Sequence, residues 1–155
     1  MKIKISPINK PLRGIIELPG DKSISHRSII ISSIASGKSI ISNILNSDDV
    51  RRTENALKSL GAKITKKRNK LIIDGRGLNS LKKSKKKIYL GNSGTSARLL
   101  SGLLASHNFK TLIYGDKSLQ SRPMKRVIEP LLKMGAKFKS KDNKLPLIIS
   151  GKSKL

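Results

Sequence analysis

The chain has 155 residues, about one average domain on the usual length prior. It contains no Cys, which excludes a disulfide framework, a thiol nucleophile and a Cys-based zinc site, and its two His, His26 and His107, are too few for a His-rich metal site. The net charge of +25 leaves three readings open: a nucleic-acid partner, a field that steers small anions, or a codon bias that favours Lys (25 of the 34 basic residues) together with Ile, Ser and Asn.

The elements follow in chain order. Lys2 to Ser6 reads as an extended segment leading into Pro7 and Pro11. A short apolar strand is expected from Gly14 to Leu18, then a turn at Pro19-Gly20-Asp21 and a helix from Ser23 to Ala35, closed by Gly37. Ser39 to Leu45 predicts a strand. Asp48 and Asp49 are expected to cap a helix that runs to Leu60 and closes on Gly61. Ala62 to Thr65 and Lys70 to Asp74 then form a hairpin. Ser80 to Lys87 is a basic linker, read as a solvated loop because no aromatic is interleaved to stack on bases. Beyond it come a strand at Ile88 to Leu90, a helix from Gly94 to Ser106, and a strand at Lys110 to Tyr114. A helix from Pro123 to Met134 follows, and a hairpin of Ala136 to Ser140 with Leu145 to Ile149 closes the series.

The order repeats because the sequence repeats. Ala56-Leu57-Lys58-Ser59-Leu60-Gly61-Ala62-Lys63-Ile64 matches Pro130-Leu131-Leu132-Lys133-Met134-Gly135-Ala136-Lys137-Phe138, and Arg27 faces Arg98. The period is about 70 to 74 residues. The expected class is therefore α+β, built from β-α-β-α-β-β units with helices packed against sheets. Unit one takes residues 14–79 and unit two 87–151, with 1–13 outside both. No apolar run reaches the roughly 18 residues that span a membrane, and the N-terminus has no apolar signal core, so a cytoplasmic protein without a membrane partner is expected.

Three turns carry candidate chemistry. Pro19-Gly20-Asp21-Lys22-Ser23-Ile24-Ser25-His26-Arg27 joins a strand to a helix start, where unpaired N–H groups and the positive dipole end favour anions. Lys22 adds a point charge and Ser23 a hydroxyl, and Arg27 lies one turn further on the face of Ser23. His26 falls on another face and reads as surface. The equivalent turn of unit two is Gly91-Asn92-Ser93-Gly94-Thr95-Ser96-Ala97-Arg98. Its glycines allow close backbone approach, and Asn92, Ser93, Thr95 and Arg98 are donors. The third is Gly115-Asp116-Lys117-Ser118-Leu119-Gln120-Ser121-Arg122-Pro123-Met124. There Pro123 holds Arg122 extended, so that its guanidinium can cross a cleft. Asp48 and Asp49, in the matching turn of unit one, read as caps rather than catalytic acids.

These strings resemble the 5-enolpyruvylshikimate-3-phosphate (EPSP) synthase family, also called 3-phosphoshikimate 1-carboxyvinyltransferases, over nearly the whole chain from Lys10 onward; Asn46-Ser47-Asp48-Asp49-Val50 fits as well. The resemblance implies transfer of the enolpyruvyl group of phosphoenolpyruvate to the 5-hydroxyl of shikimate 3-phosphate, on the path to chorismate and the aromatic amino acids, with no cofactor and no metal. It implies that Lys22 touches both substrates and is catalytic, and that Ser23 and Arg27 hold shikimate 3-phosphate. Gly94 and Arg122 would hold phosphoenolpyruvate, supported by Asn92, Thr95 and Arg98. Leu99 stands where many bacterial members have Pro. The family's fold has six such units in two domains and is expected to act as a monomer. Two units imply an N-terminal fragment, with residues 1–13 belonging to the other domain and the acid–base groups supplied by a missing C-terminal part. Two alternatives are weighed. UDP-N-acetylglucosamine enolpyruvyl transferases usually carry a reactive Cys in the loop before their Arg-Pro, and Gly115 to Ser121 has none. A non-catalytic basic module that binds nucleic acid is supported by the net charge alone.

Overall fold

The computed structural model describes residues 3–7 and 10–151. Its first regular element is α1 (Lys22–Ile34). Asp21, in extended backbone, starts this helix by accepting the Ile24 N–H on its carboxylate at 2.7 Å. Gly37 does not end it. The helix stops at Ala35, and Gly37 lies inside the next strand, β1 (Ser36–Ser42), with φ of 100°.

The following helix is α2 (Asp48–Ser59), and its cap is Ser47, whose hydroxyl accepts the Val50 N–H. Asp48 and Asp49 sit inside its first turn, where their charge complements the dipole without capping. As expected, Gly61 closes the helix. Its N–H bonds the Lys58 carbonyl and that of Ala62 the Leu57 carbonyl, a pairing that needs the positive φ of 90°. The hairpin of β2 (Lys63–Lys67) and β3 (Lys70–Arg76) forms as expected, with Lys67 opposite Lys70. β3 also pairs with β1, giving an antiparallel sheet in the order β1-β3-β2.

The second unit repeats this plan with β4 (Ile88–Tyr89), α3 (Gly94–Ala105) and β5 (Lys110–Tyr114). A short helix, α4 (Lys117–Ser121), was not anticipated. α5 (Lys125–Lys133) starts two residues beyond Pro123, with Met124 at its cap, so Pro123 lies before the helix and not in its first turn. β6 (Lys137–Lys139) and β7 (Leu147–Ser150) close the unit, and Gly135 ends α5 as Gly61 ends α2. The sheet order is β4-β5-β7-β6, which is β1-β3-β2 with one further strand laid parallel to its edge.

That further strand is missing from unit one. Gly14 to Leu18 forms no strand: Ile15, Ile16 and Leu18 are 99%, 80% and 74% exposed. An isolated extended segment without a ladder partner gains neither hydrogen bonds nor burial, and among the described residues the other edge of β1 pairs with no strand. Ile3 to Ser6 is likewise exposed and forms no strand, while Lys2 lies outside the described residues.

One apolar core serves both units. Ile29, Leu57, Leu60 and Ile73 of the first join Leu100, Leu104, Ile113, Ile128 and Leu147 of the second. Each such side chain contributes about 1.5–3 kcal/mol on full burial. Two glycines set how closely the helices approach the sheets. A Cβ on Gly75 would strike the carbonyls of Ser32 and Ala35 at the end of α1. One on Gly151 would strike those of Leu104 and Ala105 at the end of α3 and of His107 just beyond it, so the close contact is repeated along with the fold. The basic linker has no regular element and its lysines are exposed, but Leu81 within it is buried in the core. No helix among the described residues is long and apolar enough to cross a membrane.

Candidate anion-binding site

The turn that enters α3 is the most fully assembled of the three. Ser93 is buried and caps the helix by accepting the Ser96 N–H. Gly94, the first helical residue, is buried beneath two guanidinium groups. A Cβ there would lie 2.6 Å from Arg98 Nη1 and 3.1 Å from Arg122 Nη1. Arg98 is held from within the site, since Nη1 donates to the Gly94 carbonyl at 3.1 Å and Nη2 to the Pro123 carbonyl at 3.3 Å. Arg122 has extended backbone before Pro123, as expected, and its Nη2 donates to Asn92 Oδ1 at 2.5 Å. Thr95 is half-buried beside them in the first turn. Asn92, Gly94, Arg98 and Arg122 therefore converge where a neutral cap leaves the helix dipole uncompensated.

The start of α1 is built differently. Its cap is the carboxylate of Asp21, so a negative charge already occupies the place where the sequence suggested an open N–H cradle. The side chains of Lys22, Ser23 and Arg27 are what remain for an anion, and all three residues are exposed. Lys22 Nζ bonds Asp49 Oδ2 at 3.3 Å. A pair this exposed is worth about 0.2–1 kcal/mol, little enough for a phosphate to displace. Asp49 is thus more than a charge in a helix turn: it is the partner of Lys22, and its backbone carbonyl accepts a hydrogen bond from Ser96 Oγ of α3.

His26 is not at the surface. It is fully buried, with Nδ1 2.7 Å from Thr53 Oγ1, and burial lowers its imidazole pKa below the ordinary 6.5. Lys22 pushes in the same direction and Asp49 opposes it. A signal for this was present: His26, Ile29, Ile30 and Ser33 all lie on the buried face of α1 at helical spacing. Thr53 and Ser96, in contact across 43 positions of sequence, left no local signal.

Among the described residues no group of His and acidic side chains could hold a metal. A cleft of about 500 Å³ between the start of α2 and the β2–β3 hairpin is lined by Asn46, Arg51, Lys66 and their neighbours, and contains none of the residues predicted to bind substrate.

Comparison with known proteins agrees with this architecture. The family model for "EPSP synthase (3-phosphoshikimate 1-carboxyvinyltransferase)" matches residues 7–155. A 3-phosphoshikimate 1-carboxyvinyltransferase of Endomicrobium trichonymphae is 49% identical over all of this chain and 36% of its own length. One of Oceanobacillus iheyensis is 48% identical over 97% of this chain and 36% of its own. The solved EPSP synthase of Acinetobacter baumannii superimposes with a TM-score of 0.86 at 40% identity, covering 94% of this chain and 33% of that one. The chain spans about a third of the length of these relatives.

Proposed function

The chain belongs to the EPSP synthase family, and we propose on that footing that it carries substrate-binding machinery for enolpyruvyl transfer from phosphoenolpyruvate to the 5-hydroxyl of shikimate 3-phosphate, with release of phosphate. The observation that supports this most directly is the meeting of Arg98 and Arg122 over Gly94 at the start of α3. Two planar guanidinium groups and a helix N-terminus suit a small phosphorylated carboxylate. Phosphoenolpyruvate belongs there, with Asn92 orienting Arg122, Thr95 flanking it and Arg98 supporting the turn. Shikimate 3-phosphate belongs at Ser23 and Arg27 on α1. Lys22, held by Asp49 whose carbonyl is bonded to Ser96 of α3, gives up that partner to reach the substrates. This chain's residues bind and orient, and Lys22 supplies positive charge at the reacting centre. Asp48 and Asp49 are engaged by Arg51, Arg52 and Lys22, so the acid–base work falls to groups outside this third of the relatives' length.

Calorimetric titration with each substrate, alongside an assay for released phosphate, tests the reading. Binding of both ligands without sustained turnover is expected. Failure to bind either one, or binding abolished by competing duplex DNA at physiological salt, would overturn it.

A further inference from the structure

Between the two ligand sites runs a row of buried polar side chains that no binding role uses. His26 Nδ1 of α1 lies 2.7 Å from Thr53 Oγ1 of α2, which lies 2.7 Å from Ser96 Oγ of α3. Ser96 Oγ lies 2.6 Å from Ser93 Oγ and 3.3 Å from the Asp49 carbonyl, and its own N–H meets Ser93 Oγ at 3.2 Å. All four side chains are fully buried. Unpaired buried polar groups are costly, so a row of this kind persists where its members satisfy one another.

Counting protons fixes the direction of the row. The five contacts need five protons, and one arrangement supplies them all. The Ser96 N–H goes to Ser93, the Ser93 hydroxyl to Ser96, the Ser96 hydroxyl to the Asp49 carbonyl, the Thr53 hydroxyl to Ser96, and the His26 Nδ1–H to Thr53. His26 is then neutral and protonated on Nδ1, with Nε2 a bare acceptor; Nε2 has no partner among the described residues. The opposite tautomer would bury an unpaired N–H, the rarer of the two defects. The row therefore runs from α1 through Thr53 of α2 and Ser96 of α3 to the carbonyl of Asp49, whose carboxylate holds Lys22, and at Ser96 it is joined by Ser93, which caps α3 beside Gly94.

We propose that His26, Thr53 and Ser96 are positioning residues that lock the Ser93–Gly94 turn, and with it the pocket under Arg98 and Arg122, to α1 and α2. The proposal rests on the functional reading above for what that pocket holds. Packing alone would join the helices, but it would leave the hydroxyl of Ser93, and so the direction of the N–H groups at the start of α3, without a fixed reference.

The test uses the whole chain, labelled with ¹⁵N, as wild type, Thr53→Val and Thr53→Ser. The wild-type His26 ring should show a protonated Nδ1 and an unprotonated Nε2 at neutral pH, and the reverse tautomer would overturn the proposal. Titration with inorganic phosphate and with phosphoenolpyruvate, followed at the Gly94 amide, should weaken about tenfold in Thr53→Val. Binding of shikimate 3-phosphate, followed at Ser23 and Arg27, should stay within about twofold, and Thr53→Ser should restore the loss. Equal weakening at both sites, no weakening at Gly94, or no rescue by Ser would overturn it in favour of general loosening. If neither ligand disturbs Gly94 in the wild type, the functional reading fails, and the positioning claim is decided by amide exchange. Faster exchange at Ser93, Gly94 and Ser96 in Thr53→Val, with β5 and β7 unchanged, sustains it; unchanged exchange at the three amides overturns it.

Discussion

Gly94→Ala separates binding from folding. The added methyl would meet Arg98 Nη1 at 2.6 Å and Arg122 Nη1 at 3.1 Å. Both are the tips of flexible side chains, so they can retreat while the backbone stays in place. Gly94 is the first residue of α3 and has no positive φ, so Ala suits the helix there and adds up to about 1 kcal/mol in its favour. The retreat, however, takes a guanidinium away from the anion position. Loss of one charge-assisted contact costs about 1.5–3 kcal/mol, roughly a ten- to hundredfold loss of affinity. Calorimetric titration with phosphoenolpyruvate and a thermal melt should therefore diverge, with affinity falling and the midpoint holding or rising. Gly102→Ala is the control, because a Cβ there meets nothing within 4 Å in the same helix. A melt that falls while affinity holds would refute the placement of the anion over Gly94.

Three further outcomes follow from the same geometry. His26 is held below its ordinary pKa of 6.5 by burial, helped by Lys22 and opposed by Asp49; the folded state thus binds its proton less readily than the unfolded state. Its contribution to stability is complete above about pH 6.5 and is lost as pH falls below that value. The thermal midpoint should drop between about pH 7 and pH 5, and His26→Gln should flatten that slope; an unchanged slope in the variant would exclude His26 as its source. Arg27→Ala should mainly weaken shikimate 3-phosphate and Arg122→Ala mainly phosphoenolpyruvate, each by about 1.5–3 kcal/mol, and Arg122→Lys should fare poorly because a point charge cannot replace a planar fork. Equal losses for both ligands in both variants would end that division of labour. Finally, exposed Ile15, Ile16 and Leu18, together with the edge of β1 that pairs with no strand among the described residues, should promote self-association. Repulsion from a net charge of +25 opposes it and is screened beyond about 10 Å at 0.1 M salt. Light scattering should rise with salt, and a monomer at both low and physiological salt would contradict this.

Local chemistry made most of the fold legible. Gly61 announced a helix end because it must adopt a conformation that other residues resist, and the strand expected at Lys110 to Tyr114 formed with those bounds. The strand expected at Gly14 to Leu18 shows the limit of that reasoning. Its apolar pattern is real, but a strand is a property of a pair, and no neighbour sits beside these residues. Gly37 failed for a related reason: a glycine with positive φ serves a strand as readily as a helix end. The purpose of Gly75 and Gly151, close contact with the helix carbonyls, emerges only when the sheet meets the helix.

The three candidate turns were legible in the sequence, but two of them were misread as equivalent. The repeat suggested that the starts of α1 and α3 are the same cradle used twice. The caps show otherwise. Asp21 places a carboxylate at one helix start, while Ser93 places a buried hydroxyl at the other. A carboxylate cap neutralises the dipole that a phosphate would exploit, so an anion on α1 depends on the side chains of Lys22, Ser23 and Arg27. A hydroxyl cap leaves the dipole available, so an anion on α3 can use backbone and guanidinium together. A ligand reaching α1 must also compete with Asp49 for Lys22, and Asp49 is bonded through its carbonyl to the helix that carries the other cap. The difference between an Asp cap and a Ser cap thus makes two unlike sites of a duplicated fold. His26, one residue from the exposed Arg27, belongs to the buried joint between those sites because it shares the inward face of α1 with Ile29, Ile30 and Ser33.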